Sequence, residues 1–185
     1  MLDPAPRPLR LRSRQRIYQN PWTVLLEDRL IGHDGRDQLY GYFARKDFVI
    51  ICPLHVDRRI TLVRQWRHAY DRSSWELPCG ACDEDTPPAA ARRELAEETG
   101  LCAARWRPLG AWHHSDARVA GQGHVFLAEG LQTMPQPPVA DHSEADLVSA
   151  TVPLDEALSA CDDGRISNVM SVAVLYRVAR ALTDQ

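Results

Sequence analysis

The feature that most constrains this chain is an acidic segment that opens on a proline and closes on a glycine. Thr86-Pro87 predicts a helix start, with a hydroxyl at the N-cap and a proline at the first helical position, where its missing N–H is no loss. The residues that follow are strong helix formers, and Gly100 suits the left-handed residue just past a helix end. Residues 87–99 are therefore predicted to form one helix.

Three glutamates project from one face of this predicted helix. Glu94, Glu97 and Glu98 stand at positions i, i+3 and i+4, which lie next to one another on a helix surface. Like charges at this spacing repel, so the arrangement favours hard divalent cations such as Mg²⁺ or Mn²⁺ among the oxygens. The alternative is a solvated acidic face, and the three residues alone leave both interpretations open.

The segment Arg93-Glu94-Leu95-Ala96-Glu97-Glu98-Thr99-Gly100-Leu101 resembles the second half of the Nudix box. In that family the box runs Gly, five residues, Glu, seven residues, then Arg-Glu-hydrophobic-any-Glu-Glu-any-Gly-hydrophobic. The flanking WELPCG and TPPAAARREL phrases resemble the branch that hydrolyses ADP-ribose and nucleoside-diphosphate sugars. The first half departs from the family pattern: Gly80 lies one position closer to Arg93 than usual, and Asp85 stands at the first glutamate position.

This resemblance implies an α/β fold, the Nudix-type α/β/α sandwich with a mixed β-sheet and an N-terminal β-strand extension. We expect residues 1–16 to form a flexible arginine- and proline-rich arm and residues 17–185 to form the Nudix domain. Strands within 17–45 are expected to pair across the two-fold axis of a homodimer. Further strands are predicted at 48–54, 60–66, 106–113, 124–131 and 148–152, and further helices at 155–161 and 167–182.

Composition excludes several classes of partner. The net charge is −3 and the sequence pI is about 6.1, so we expect no nucleic-acid partner and no anionic membrane. The start of the chain has no apolar segment typical of a secretory signal. The five cysteines form no disulfide framework, which predicts reduced thiols and a cytoplasmic location. Cys79-Gly-Ala-Cys82 also spells a C-x-x-C motif, for which a redox pair or half of a zinc site is the alternative.

The resemblance assigns roles to the box residues. Glu94, Glu97 and Glu98 are expected to bind Mg²⁺ or Mn²⁺, and the backbone carbonyl of Cys79 is a further candidate ligand. Arg93 joins Glu97 in the candidate catalytic set, because its guanidinium is expected to pair with these carboxylates, or with Asp85, and to fix their rotamers. The carbonyl of Cys79 tolerates any side chain at that position.

Substrate contacts are expected from three other residues. Arg67 follows a strand and can grip a diphosphate bidentately, although a surface ion pair is an equal alternative. Glu76 stands in a WELP phrase whose glutamate contributes to the metal or substrate region in relatives. Trp22 stacks a nucleobase if the N-terminal strands reach a dimer partner, and burial in the core is its alternative.

The general base is expected outside the box. The loop 113–123 carries Ala120-Gly121 where sugar-nucleotide relatives have an acidic pair, so the acidic stretch 141–146 is the better source. Glu144 is the candidate base and Asp146 the next choice. The region of Ala117 also lacks the proline typical of ADP-ribose hydrolases, which leaves other nucleoside-diphosphate sugars open.

These observations favour a metal-dependent hydrolase. Its substrate is a nucleoside diphosphate linked to a sugar, and its products are a nucleoside monophosphate and a sugar phosphate. The alternative is a diverged Nudix fold that binds a nucleotide and turns it over weakly or not at all. The shortened loop, Asp85 and the lost acidic pair motivate that alternative.

Overall fold

A computed structural model describes residues 8–83, 85–115, 117–136, 138 and 146–183. The chain divides into two compact units, one formed by the segment up to Lys46 with Ser115–Gly121 and the other by the remainder. The strands are β1 Arg10–Gln19, β2 Val24–Ile31, β3 Asp37–Ala44, β4 Phe48–Leu54, β5 Arg59–Arg67, β6 Arg72–Glu76, β7 Cys79–Ala81, β8 Leu101–Trp112, β9 Val119–Ala120, β10 Gly123–Thr133 and β11 Val148–Pro153. The helices are α1 Pro87–Thr99, α2 Leu154–Asp162 and α3 Val169–Thr183, and a 3-10 turn spans His68–Tyr70.

The first unit is a four-stranded sheet in the order β1-β2-β3-β9. β1, β2 and β3 are antiparallel, and β9 runs parallel to β3. Asn20-Pro21 lies between β1 and β2, where a proline without an N–H is expected to interrupt a strand. β1 already begins at Arg10, within the segment 1–16 that is expected to form a flexible arm. All ten residues of β1 are exposed.

The second unit is built on a mixed sheet in the order β11-β5-β4-β10-β8. β4 and β10 are parallel, whereas the other pairs along this order are antiparallel. Two short strands, β6 and β7, pair with β5 and β4 respectively. β4 is therefore central, as its continuous apolar sequence predicts for a strand covered on both faces.

Alternation along β4 separates two hydrophobic cores. Ile50 and Cys52 pack with residues of α2 and α3, including Leu154 and Val174. The side chains that alternate with them, Val49 and Ile51, pack with Ala90, Ala91 and Leu95 of α1. Because neighbouring side chains of a strand point to opposite faces, this pattern places α1 on one side of the sheet and α2 with α3 on the other. The predicted α/β/α sandwich is confirmed.

The bounds of α1 match the sequence prediction, but the N-cap contact does not. The helix spans Pro87–Thr99, and Gly100 closes it with φ of 66° and a bond from its N–H to the carbonyl of Ala96. Thr86 occupies the N-cap position with extended backbone, yet its side chain makes no capping hydrogen bond. The expected hydroxyl cap is therefore wrong: Pro88, at the second helical position, has no N–H to donate, and the N–H of Ala89 at the third donates to the Thr86 backbone carbonyl.

The remaining elements follow their predicted places with shifted ends. β8 begins at Leu101, five residues before the predicted 106, so it starts directly after the helix stop. α2 and α3 cover the predicted 155–161 and most of 167–182. Among the described residues, no helix has the length and apolar character needed to cross a bilayer.

Candidate functional site

The acidic face of α1 is held in place by a single arginine. The Arg93 guanidinium donates to Asp85 Oδ2 at 3.0 Å, to Glu94 Oε1 at 2.8 Å and to Glu97 Oε2 at 3.0 Å. Its remaining bond, 2.9 Å long, goes to the backbone carbonyl of Ala81 in the preceding loop. Partial burial alone would lower the pKa of Arg93, but the three carboxylates outweigh burial and raise it. The arginine therefore joins the box loop to the helix.

Asp85 makes the contact expected at the first acidic position of the box. Its carboxylate is one methylene shorter than glutamate, and the loop before it is one residue shorter than in the family pattern. The shorter side chain still meets Arg93 Nε at 3.0 Å. The box loop, which departs from the family pattern, thus still forms an ion pair with the box helix, which matches it.

Gly80 permits a close approach between the loop and the helix. A Cβ at this position would lie 2.1 Å from the carboxyl carbon and from Oε1 of Glu94. Glu94 is 6% exposed, so its carboxylate has little room to move away. The glycine that opens the box is therefore required by packing against a buried charge.

Glu98 is held by the backbone at Cys79. The Cys79 N–H donates to Glu98 Oε2 at 3.0 Å, and Glu98 is 6% exposed. Burial, followed by the negative charges of Glu98 and Glu76, raises the pKa of the Cys79 thiol to about 12. The thiol is therefore protonated at neutral pH, and an ionised sulfur ligand is disfavoured there.

The two cysteines of the C-x-x-C motif face different cores. Cys79 lies opposite Ile50 in the β4–β7 ladder and packs against the core that α2 and α3 cover. Cys82 belongs to the core that α1 covers. Since the thiols point to opposite faces of the sheet, a redox pair or a shared zinc ion is disfavoured.

Arg67 and Glu76 form a bidentate ion pair. Arg67 Nε and Nη2 donate to the two oxygens of Glu76 at 3.0 and 2.7 Å. The side chain of Glu76 is 5% exposed and that of Arg67 is 36% exposed. The hydrogen bonds with Glu76 raise the pKa of Arg67, and the charge of Glu98 adds to that effect. The Arg67 guanidinium therefore feels the charges of both Glu76 and Glu98.

The structure thus gathers most of the predicted site residues in the second unit. Glu94, Glu97, Glu98 and Arg93 share one helix face, and the same unit holds Cys79, Arg67 and Glu76. Two candidates remain. Trp22 lies in the first unit, where its side chain is 85% exposed, so the alternative of core burial is wrong. Glu144 falls outside the described residues.

Asp146, the second candidate for the general base, accepts a hydrogen bond. The backbone N–H of Trp66, on β5, donates to Asp146 Oδ2 at 2.6 Å. Trp66 directly precedes Arg67, so this contact connects the start of the β11 region to the strand that carries the ion pair with Glu76.

The donor chemistry of the helix face fits a hard divalent cation. Carboxylate oxygens are the ligands that Mg²⁺ and Mn²⁺ prefer. Within the ranges that the structure describes, however, no group of three or more His, Cys, Asp or Glu side chains is arranged to hold a metal ion. The reason is visible in the contacts: Arg93 bridges Glu94 and Glu97, while Glu98 accepts the Cys79 N–H. Metal binding would need rearrangement among these bonds.

Sequence reasoning missed two sets of polar residues around the site. Asp47, at the start of β4, accepts bonds from the Gln122 N–H and from His124 Nε2, both at 2.9 Å. The bond with His124, followed by that with Gln122, lowers the pKa of Asp47. Asn168 and Ser171 meet the WELP segment through hydrogen bonds. An asparagine directly before an apolar helical pattern is a cap signal that could have identified Asn168.

Comparison with known proteins agrees with this geometry. The NUDIX domain model matches residues 44–171. The chain belongs to the Nudix family. The match contains the box helix, the box loop and the Arg67–Glu76 pair, and it ends at Ser171 within α3.

Two relatives show how far the similarity extends along the chain. An ADP-ribose pyrophosphatase of Mycobacterium tuberculosis (strain ATCC 25618 / H37Rv) is 34% identical over 137 residues, 73% of this chain and 66% of the relative. A CMP-5'-(N-acetyl-N-hydroxy-3-aminopropyl)phosphonate hydrolase of Streptomyces rubellomurinus (strain ATCC 31215) is 31% identical over 133 residues, 71% of this chain and 63% of the relative. The matched regions thus span just under two thirds of these relatives.

The fold also matches a solved structure. A crystal structure of an ADP compounds hydrolase superposes with a TM-score of 0.86, covering 99% of this chain and 98% of the other, at 19% sequence identity. At that identity the likeness speaks for the fold, and the Nudix sandwich is the architecture that it supports.

Proposed function

We propose that this Nudix protein hydrolyses the diphosphate bond of a nucleoside diphosphate linked to a sugar, with ADP-ribose as the first candidate substrate. The products are a nucleoside monophosphate and a sugar phosphate. The observation that carries the proposal is the helix face of Glu94, Glu97 and Glu98, which Arg93 ties to the box loop. The relative named ADP-ribose pyrophosphatase supports the choice of substrate class.

The reaction requires Mg²⁺ or Mn²⁺ in this proposal. A bound divalent cation supplies charge neutralisation on the phosphates and lowers the pKa of a bound water. Glu94, Glu97 and Glu98 are the residues that would hold it, together with the carbonyl of Cys79. Arg93 holds the carboxylates of Glu94 and Glu97 beside one another, and its bonds to them would rearrange when the cation binds.

The remaining roles fall to residues around the helix face. Arg67 binds the diphosphate, and Glu76 orients Arg67 through the bidentate pair. Glu144 removes the proton of the attacking water, and Asp146 is the second candidate for that role.

A homodimer completes the proposed assembly. β1 is exposed along its whole length at the edge of its sheet, and an unpaired strand edge favours pairing with another chain. The exposed indole of Trp22 is then available to stack on a nucleobase in the partner's site. Light scattering of the purified protein at several concentrations tests the dimer, and a monomer throughout contradicts it.

The five free cysteines support a cytoplasmic location, where thiols stay reduced.

A diverged binding module is the alternative function. It is favoured by the shortened loop and by the lack of a ready group of metal ligands among the described side chains. Against it, Asp85 keeps the ion pair with Arg93 that a degenerate box would have no reason to retain.

A substrate panel separates the two functions. ADP-ribose, GDP-mannose, UDP-glucose, dinucleoside polyphosphates and nucleoside triphosphates are each incubated with Mg²⁺, with Mn²⁺ or with EDTA, and products are separated by chromatography. Metal-dependent release of AMP and ribose 5-phosphate from ADP-ribose is expected. Nucleotide binding without turnover of any substrate would favour the binding module.

A further inference from the structure

The residue just before α3 is an asparagine whose side chain makes two contacts. Asn168 directly precedes the helix, and its Oδ1 accepts the backbone N–H of Ser171 at 2.9 Å. This bond satisfies one of the N–H groups that a helix start leaves without an intrahelical partner. Asn168 is therefore the N-cap of α3.

The other half of the same amide faces the candidate active site. Asn168 Nδ2 lies 3.5 Å from Glu76 Oε2, at the long end of hydrogen-bonding distance. Because Oδ1 is committed to the helix N–H, the amide presents its NH₂ group to the carboxylate. Glu76 is only 3% exposed, so a donor at this point helps to satisfy a buried negative charge.

A second contact fixes α3 to the same segment. The N–H of Leu77, the residue after Glu76, donates to Ser171 Oγ at 3.0 Å. Leu77 is fully buried and Ser171 is 2% exposed, so this bond is shielded from water. The first turn of α3 therefore restrains both the backbone after Glu76 and the carboxylate itself.

This restraint reaches Arg67. Glu76 uses both oxygens to hold the guanidinium, and the Oε2 atom that receives the shorter Arg67 bond is the one that faces Asn168. The side chain of Arg67 is more exposed than that of Glu76. A shift of the buried carboxylate would therefore move the more exposed guanidinium.

We propose that Asn168 is a positioning residue: it orients Glu76, and through Glu76 it places Arg67 for the diphosphate. Asparagine, aspartate and serine are about equally good N-caps. Asparagine has a separate NH₂ group that reaches Glu76 while its oxygen caps the helix, serine is too short to reach, and aspartate would set two negative charges side by side. The inference rests on the proposed function, because it assigns Arg67 to substrate binding.

Three variants separate capping from positioning. Asn168→Asp keeps the cap and replaces the donor by a repelling charge. Asn168→Ser keeps a cap without adding charge, and its shorter side chain takes the donor out of reach of Glu76, since Asn168 Nδ2 already lies 3.5 Å from Oε2. Ser167→Asp is the matched control, since it adds the same charge one residue earlier at an exposed position.

Kinetics give the first readout. Asn168→Asp is expected to lower kcat/KM for ADP-ribose by about tenfold, mainly through a higher KM, because the substrate contact is misplaced. Asn168→Ser should show a smaller loss, and Ser167→Asp should stay close to wild type. Wild-type kinetics in Asn168→Asp would overturn the positioning role, as would an equal loss in Ser167→Asp.

A double-mutant cycle gives a readout that does not depend on catalysis. Melting temperatures of Asn168→Asp and Asn168→Ser are compared in the wild-type and the Glu76→Gln backgrounds. The aspartate variant should melt lower than the serine variant beside Glu76, and this difference should vanish or reverse beside the neutral amide. An unchanged difference overturns the inference. A wild type that hydrolyses no substrate contradicts the proposed function instead, and the cycle still tests the contact.

Discussion

At the scale of single residues, Arg93 accounts for the geometry of the acidic helix face. Its guanidinium makes four bonds in different directions, to three carboxylates and one carbonyl. Lysine has a single ammonium and cannot reproduce this planar arrangement. Arg93 therefore acts through the residues that it holds. Replacing it with lysine keeps the positive charge and removes the planar set of donors.

Arg93→Lys is predicted to lower kcat for ADP-ribose by about 10–100-fold, the range typical of residues that orient metal ligands. Steady-state kinetics over a range of Mg²⁺ concentrations measure the loss. Arg92→Lys is the matched control, because Arg92 donates to Pro88 and lies over the Trp106 ring instead. Equal kinetics for the two variants would contradict the role of Arg93.

Gly80→Ala is predicted to reduce activity and stability together. The added Cβ would overlap the buried carboxylate of Glu94, and overpacking of this kind costs about 1–3 kcal/mol. Denaturant unfolding measures the cost. Gly41→Ala is a suitable control, because the nearest atom to its added Cβ is a carbonyl oxygen 3.9 Å away. A stable and active Gly80→Ala variant would show that Glu94 is not confined as described.

At the scale of elements, the sheet decides what the C-x-x-C motif can do. β7 pairs with β4, and the side chains of Cys79 and Cys82 lie on opposite faces of this part of the sheet. A disulfide needs its two Cα atoms within about 7 Å and Cβ vectors that point together. The C-x-x-C spacing suggests a disulfide pair, but the two thiols lie in the cores on opposite faces of the sheet.

Treatment of the folded protein with copper phenanthroline is predicted to leave Cys79 and Cys82 unlinked. Peptide mapping without reduction measures the linkage, and the exposed Cys102 should be the first thiol to react with an alkylating agent. A Cys79–Cys82 peptide from protein that keeps its native spectrum would contradict the placement.

Buried thiols also predict a loss of stability at alkaline pH. Burial raises the pKa of Cys52 on β4 from 9.0 to about 12. Between these values the folded state keeps a proton that the unfolded chain has lost, so the free energy of unfolding falls as pH rises from about 9 to 12. Cys52→Ala should flatten this slope, whereas Cys102→Ala, at an exposed position, should not. Urea unfolding at several pH values tests this, and equal slopes in all three proteins would contradict it.

At the scale of the whole molecule, the sequence predicts elements better than contacts. A continuous apolar run located β4, start and stop signals located α1, and helical periodicity located α3, because each of these patterns is local in the sequence. The three glutamates were predicted to share a face for the same reason. The Nudix sandwich followed from the resemblance, and the structure confirms it.

Contacts between distant segments could not be predicted. Arg67 meets Glu76, and Asn168 meets Glu76 across 92 positions of sequence, because the fold brings β5, β6 and α3 together. Thr86 shows that even a local contact does not follow from residue type alone. Threonine suits a cap, but the Thr86 side chain makes no capping bond. Residue types indicate which chemistry is available, whereas the tertiary fold determines which partners meet.

The most direct test of the central claim is the initial rate of ADP-ribose hydrolysis by Glu97→Gln at saturating Mg²⁺ or Mn²⁺. Glutamine keeps the size of the side chain and removes the charge that a divalent cation needs, so the rate should fall at least about 100-fold. Glu156→Gln, on the exposed side of α2, should retain the wild-type rate. A Glu97→Gln rate equal to that of Glu156→Gln would contradict the account, because the acidic helix face would then not support the reaction.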